Sequence, residues 1–180
     1  MDEKPIVPIN CFFQGCCNPA YEAEIRKGKE KCFKYNQLSP NDRAAQSEIL
    51  KDLLGKMGKD TVITPPFWCD YGYNISVGDY FYSNHGMIFT DGAKVTFGDN
   101  AFVAPNCCFT TAEHAIDPEI RKAGVEIAKQ ITIGNNVLIG AGSVVTRSIP
   151  EHAVAVGVPC RVMREITKAD RTSYPTFSHE

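Results

Sequence analysis

From Thr61 onward the hydrophobic positions follow a short, regular beat. An apolar residue is followed by a small one at Val77-Gly78, Phe97-Gly98, Val103-Ala104, Ile133-Gly134, Ile139-Gly140 and Val156-Gly157. Within blocks the interval is six residues, 97 to 103 to 109 and 133 to 139 to 145, and Ser83 and Phe89 continue the series from Val77. A period of six predicts a short strand and a turn forming one side of a triangular coil. The apolar residue points inward, and the small residue after it lets the chain bend closely. Three such sides make a coil of about eighteen residues. Coils stacked through β-sheet hydrogen bonds at roughly 4.8 Å bury a continuous apolar column. A β-sandwich would instead show period-two strands of about five or six residues with varied loops, and the register argues against it. Periodicity leaves the handedness of the coil open.

Before Thr61 the pattern is helical. Pro19 to Asn36 carries Tyr21, Ile25, Cys32 and Tyr35 among alternating charges. A second segment runs from Ser39-Pro40-Asn41-Asp42 to Leu54-Gly55, with Ser39 or Asn41 as N-cap and Ile49, Leu50, Leu53 and Leu54 as its apolar face. Short helices of this kind need a larger body to pack on. The interval from Glu113 to Lys129 breaks the beat with His114, Pro118, Arg121, Lys122 and Gly124, and reads as a loop thrown out of the coils. The expected organisation is a helical segment at 1–58, the repeat body at 59–166 with a protruding loop at 113–129, and a tail at 167–180.

Composition adds exclusions. A chain of 180 residues suits one sizeable domain, and a formal net charge of −2 gives no drive toward nucleic acid or an anionic membrane. There is no apolar run long enough to span a bilayer, and the start of the sequence lacks the plan of a signal peptide. The 8 cysteines are scattered, with adjacent pairs at Cys16–Cys17 and Cys107–Cys108 and no C-x-x-C spacing. They read as reduced thiols in a cytoplasmic protein without a metal site.

With repeats and loop in place, the chain resembles the maltose/galactoside acetyltransferase family of hexapeptide-repeat enzymes over roughly Cys32 to Ile166. The matching segments begin with Cys69-Asp70-Tyr71-Gly72-Tyr73-Asn74-Ile75, Phe81-Tyr82-Ser83-Asn84 and Phe97-Gly98-Asp99-Asn100 followed by Ala104-Pro105-Asn106. They continue with His114-Ala115-Ile116-Asp117-Pro118, Ile131-Thr132-Ile133-Gly134-Asn135-Asn136-Val137, Ile139-Gly140-Ala141-Gly142-Ser143-Val144-Val145-Thr146 and Gly157-Val158-Pro159-Cys160-Arg161-Val162. The resemblance implies a left-handed parallel β-helix with an N-terminal helical segment, assembled as a homotrimer with active sites between subunits. The implied reaction moves an acetyl group from acetyl-CoA directly to a hydroxyl of a sugar or small polyol, without a metal or a covalent intermediate.

His114 takes the position of the family's catalytic histidine, and an imidazole titrating near neutrality can accept the hydroxyl proton during attack on the thioester. Asn84 and Tyr82 match residues lining the acceptor pocket, and an amide can both donate to and accept from sugar oxygens. Asp70 holds a corresponding acceptor-side position. On the donor side Ala141 matches a backbone contact to the pantetheine arm, and Thr146 with Arg147 matches the region near the adenine end. Arg161 and Arg164 match basic residues close to the CoA phosphates, which guanidinium groups suit through paired hydrogen bonds.

The sequence departs from the family at three places. One coil is missing between Val137 and Ile139, the proline usual after the catalytic histidine is Ala115, and no carboxylate stands at 15–17 where an acceptor contact is usual. Two further readings follow. A γ-type carbonic anhydrase on such a scaffold needs a histidine triad, whereas His85, His114, His152 and His179 are widely spaced. The other is a catalytically impaired assembly or binding module, whose shortened donor channel has cost it activity.

Overall fold

The computed structural model describes residues 8–15 and 18–172. After β1 (Phe12–Gln14) come α1 (Pro19–Asn36) and α2 (Arg43–Leu53). Asn18 caps α1, its side chain accepting from Ala20 N. The cap of α2 is Asp42, which accepts from Ala45 N, rather than Ser39 or Asn41. Those two are used one turn earlier, where Asn41 N donates to Ser39 Oγ and Gln46 Nε2 to Ser39 O.

The chain then winds through sheets in rotation. β2 (Lys56–Met57), β3 (Val62–Ile63) and β4 (Phe67–Cys69) are followed by β5 (Ile75–Val77), β6 (Tyr82–Ser83) and β7 (Met87–Thr90), then by β8 (Val95–Phe97), β9 (Phe102–Val103) and β10 (Cys108–Thr110). An excursion of β11 (Ala112–His114), α3 (Pro118–Lys122) and β12 (Val125–Ala128) intervenes. The winding resumes with β13 (Ile131–Ile133), β14 (Leu138–Ile139), β15 (Val144–Val145) and β16 (Ala153–Val156), and β17 (Arg161–Glu165) and α4 (Ala169–Thr172) end the described chain. The first sheet is β2-β5-β8-β13, the second β3-β6-β9-β14-β16-β17 and the third β4-β7-β10-β15, parallel throughout except that β17 runs antiparallel to β16.

In the early coils, partners lie twenty residues apart, as in Phe67 with Met87, Ile75 with Val95 and Tyr82 with Phe102, rather than about eighteen. The additional residues widen the corner from third sheet to first, where Asp70 to Asn74 and Asp91 to Lys94 make long turns. The corner from first sheet to second is tight and repeats one device. Asp60, Tyr80, Asn100 and Asn136 adopt positive φ there, a conformation that Asn and Asp tolerate better than most residues. Lys59 N donates to Asp79 Oδ1, Asp79 N to Asp99 Oδ1 and Asp99 N to Asn135 Oδ1. The glycine before each stacks on the next, and a Cβ on Gly78 would lie 2.6 Å from Gly98 C. That contact explains the apolar-Gly step physically.

The column inside is filled by alternate residues of the parallel strands. Phe89 and Phe109 stack at 5.0 Å, Phe97 meets Phe109 edge-on, and Ile131, Ile133, Val103 and Ile139 complete the packing. Cys32 of α1 lies 3.4 Å from Cys69 of β4, sulfur to sulfur, both buried. No helix among the described residues is long and apolar enough to cross a membrane.

Candidate active site

The interval 113–129, expected as a loop, is an antiparallel hairpin closed by α3. The alternation Val125-Glu126-Ile127-Ala128 makes it a strand, paired Ala112 with Ala128, Glu113 with Ile127 and His114 with Glu126. β1 adds a third strand, with Phe12 opposite Ile127 and Phe13 opposite Glu126. Residues directly opposite in an antiparallel pair share a face, so His114, Glu126 and Phe13 point to one side of this small sheet. His114 Nδ1 lies 3.3 Å from Glu126 Oε1, with the imidazole 60% and the carboxylate 17% exposed. A carboxylate on Nδ1 favours the tautomer whose Nε2 carries the lone pair, which leaves Nε2 as the proton acceptor.

The chain after His114 is held, with Ala115 where the resemblance implies a proline. Arg121 Nη1 donates to Ala115 O at 3.0 Å and Ile116 O at 2.8 Å, and Asp117 caps α3 by accepting from Glu119 N and Ile120 N. A cavity of about 570 Å³ opens against this segment, with His114, Ile116, Ile120 and Phe12 in its wall. Glu126 and Arg121 were not among the residues expected at the site. The strand-like alternation around Glu126 is the signal that could have found it.

Asp70 lies on the same side of the molecule, at the corner where the hairpin leaves the body. Burial raises its pKa, and Lys29, 3.4 Å away, opposes the shift. Its turn is organised by Asp91, fully buried, whose carboxylate accepts from the N–H groups of Asp70, Tyr71 and Gly72 at 2.9, 2.9 and 2.7 Å. Burial pushes the Asp91 pKa up to about 6 against the pull of those donors. A carboxyl whose folded pKa lies above its unfolded value of about 3.9 stabilises most when protonated in both states, and that contribution is lost as pH rises through the folded value. The stability of the wild type relative to Asp91→Asn is therefore expected to fall by about 2–3 kcal/mol between pH 4 and 6.5. Urea unfolding of both proteins across this range measures it; a rising difference would mean that the three N–H donors outweigh burial.

Of the other expected residues, Asn84, Tyr82 and Ala141 gather at the corner from second sheet to third, whereas Thr146 and Arg147 follow the third sheet and Arg161 and Arg164 lie on β17. Asn84 N donates to Val103 O and Ala104 N to Ile139 O, so Asn84 and the Gly140-Ala141 turn lie on one edge, two coils or about 10 Å apart. Asn84 is half-buried, with its Oδ1 accepting from His85 N, and the Tyr82 ring sits 5.5 Å from Phe102. Ala141 and Arg147 are exposed and Thr146 half-buried. Arg161 donates to Cys160 O, while Arg164 makes a two-pronged pair with Asp170 at 2.8 and 3.0 Å. The width of the third sheet, four residues in Met87–Thr90 or about 13 Å, separates this edge from the hairpin corner. One chain thus brings His114 and Asp70 to one edge, and Asn84, Tyr82 and Ala141 to another. Cys16 and Cys17, and the tail beyond residue 172, lie outside the described residues. Among the described residues no group of three His, Cys, Asp or Glu side chains is placed to hold a metal.

Comparison with known proteins gives consistent neighbours. Residues 16–58 match the family model described as the maltose acetyltransferase hexapeptide capping motif. A provisionally named acetyltransferase of Saccharomyces cerevisiae is 47% identical over 169 residues, covering 83% of this chain and 86% of that protein. The galactoside O-acetyltransferase of Escherichia coli is 35% identical over 181 residues, covering 91% and 89%. Among solved structures, galactoside acetyltransferase in complex with coenzyme A superposes with a TM-score of 0.76 at 32% identity, covering 93% of this chain and 92% of that one.

Proposed function

The chain belongs to the maltose/galactoside O-acetyltransferase family of hexapeptide-repeat enzymes, and from that membership we propose its reaction in detail. It transfers the acetyl group of acetyl-CoA to a hydroxyl of a sugar or related small polyol, with His114 as general base. The observation that carries this reading is the exposed imidazole with a carboxylate on Nδ1, presented on a hairpin clear of the coils. Nε2 takes the hydroxyl proton as the sugar oxygen attacks the thioester carbonyl. The tetrahedral intermediate then collapses to the acetyl ester, expelling the CoA thiolate, which the imidazolium can reprotonate.

We read the three-sheet winding as a left-handed β-helix at 59–166, preceded by the helical segment at 1–58 and followed by a tail at 167–180. The capping-motif match and the galactoside acetyltransferase neighbour support this reading. Asn84 and Tyr82 contact the acceptor on one side and Asp70 on the other. Ala141, Thr146, Arg147 and Arg161 line the donor, with Arg164 joining them only by sharing its charge with Asp170.

The split of these residues between two edges supports a homotrimer with sites between subunits. Two outer faces favour the same assembly. The second sheet turns outward a ladder of Val62, Tyr82, Phe102, Leu138 and Val154, and the third one of Trp68, Ile88, Cys108 and Val144. The outward ladder of the first sheet is polar, with Lys56, Ser76, Thr96 and Thr132. Two different apolar faces on one prism pair head to tail, and such pairing makes a ring where the rotation between copies closes. In that ring the Asn84 edge of one copy meets the His114 edge of the next.

The experiment is acetyl-CoA consumption with a panel of mono- and disaccharides, following the released thiol. Sugar-dependent release is expected. Failure of the purified protein to bind CoA would overturn the reading, and binding without turnover on any sugar would favour the assembly-module alternative.

A further inference from the structure

Gly15 is extended from β1 directly beside the His114–Glu126 pair, and its φ is not in the left-handed region that would call for glycine. The backbone there would accept a side chain; the space would not. A Cβ on Gly15 would overlap Glu126 Oε2 and lie 2.9 Å from Glu126 Cδ and 2.8 Å from the Phe13 ring. Gly15 is also anchored, its N–H donating to Gly124 O at 3.0 Å, so it cannot swing away without breaking the clasp between β1 and the hairpin. On the strand before it, Phe13 lies opposite Glu126 and meets Tyr21 of α1 edge-on at 5.9 Å. The carboxylate is thus confined by Phe13, by the slot at Gly15 and by the imidazole.

We infer that Gly15 is a positioning residue for catalysis: its missing side chain is the slot that seats the Glu126 carboxylate against His114. The inference rests on His114 being the base. The atoms that a new Cβ would meet are side-chain ends, the Glu126 carboxylate foremost and the edge of the Phe13 ring, and none is backbone, so Gly15→Ala should fold and move the carboxylate instead of the backbone. Displacing one member of an oriented pair by about 1 Å can cost up to roughly a hundredfold in rate.

The test is a double-mutant cycle on steady-state kinetics, with melting temperature as the folding control. Gly15→Ala is expected to lower kcat roughly ten- to hundredfold, with KM for acetyl-CoA and the melting point nearly unchanged. In a Glu126→Ala background, where no carboxylate is left to displace, the same substitution should cost nothing further. An unchanged kcat in Gly15→Ala, or the same loss in both backgrounds, would overturn the inference. Its failure is distinguishable from failure of the functional reading, because an inactive His114→Ala protein beside a fully active Gly15→Ala protein sinks only the role of Gly15.

Discussion

Replacing His114 by alanine is expected to lower kcat by about 10²–10⁴-fold while leaving KM for acetyl-CoA nearly unchanged. In the proposed mechanism the imidazole takes the proton only as the new bond forms, so its contribution belongs to the transition state and not to donor binding. A sugar hydroxyl is hardly ionised at neutral pH, and no other histidine among the described residues lies on the hairpin. Glu126→Gln should give a smaller loss, roughly tenfold or more, because the amide keeps the shape but can satisfy either ring tautomer. Both are read by thiol release under saturating acetyl-CoA with the best acceptor of the panel. A His114→Ala protein within tenfold of the wild type would remove the base from the mechanism.

The second large effect is expected far from the base. Phe102 is 47% exposed on the outward ladder of the second sheet, stacked near Tyr82. Phe102→Asp changes nothing inside the coils, so the fold and the His114–Glu126 pair should persist. In the proposed ring, however, it would set an unpaired carboxylate into every subunit contact, at a cost of about several kcal/mol each. Light scattering should change from trimer to monomer at micromolar concentration, and kcat/KM should fall by at least about 10²-fold, because the two halves of the site no longer meet. Circular dichroism on melting controls for folding. A monomeric variant with wild-type activity would mean that one chain completes the site alone.

The apolar-Gly beat made most of the winding legible before any coordinates, because each step is local: an inward residue, a glycine stacked on the next, an Asx bond across the corner. Pro19–Asn36 was legible for the same reason. What escaped the sequence was non-local. Phe12 finds Ile127 across more than a hundred residues, so β1 did not announce itself, and the alternation at Val125–Ala128 named no partner. Glu126 is set opposite His114 by the hairpin register, which no local pattern specifies. Asp91 carries no mark of its own in the sequence, and the convergence of three N–H groups on it belongs to the fold.

The ends of the winding also carry a consequence. A stack of parallel strands offers unpaired backbone groups at its first and last coil, each a template for another chain. Asn36 of α1 closes one end, its Nδ2 donating to Phe67 O and its Oδ1 accepting from Phe67 N, while Tyr35 OH donates to Ile63 O. At the other end β17 turns back antiparallel on β16. The same repeat that builds the enzyme could otherwise polymerise end to end, and these few polar contacts and one reversed strand keep it a discrete particle.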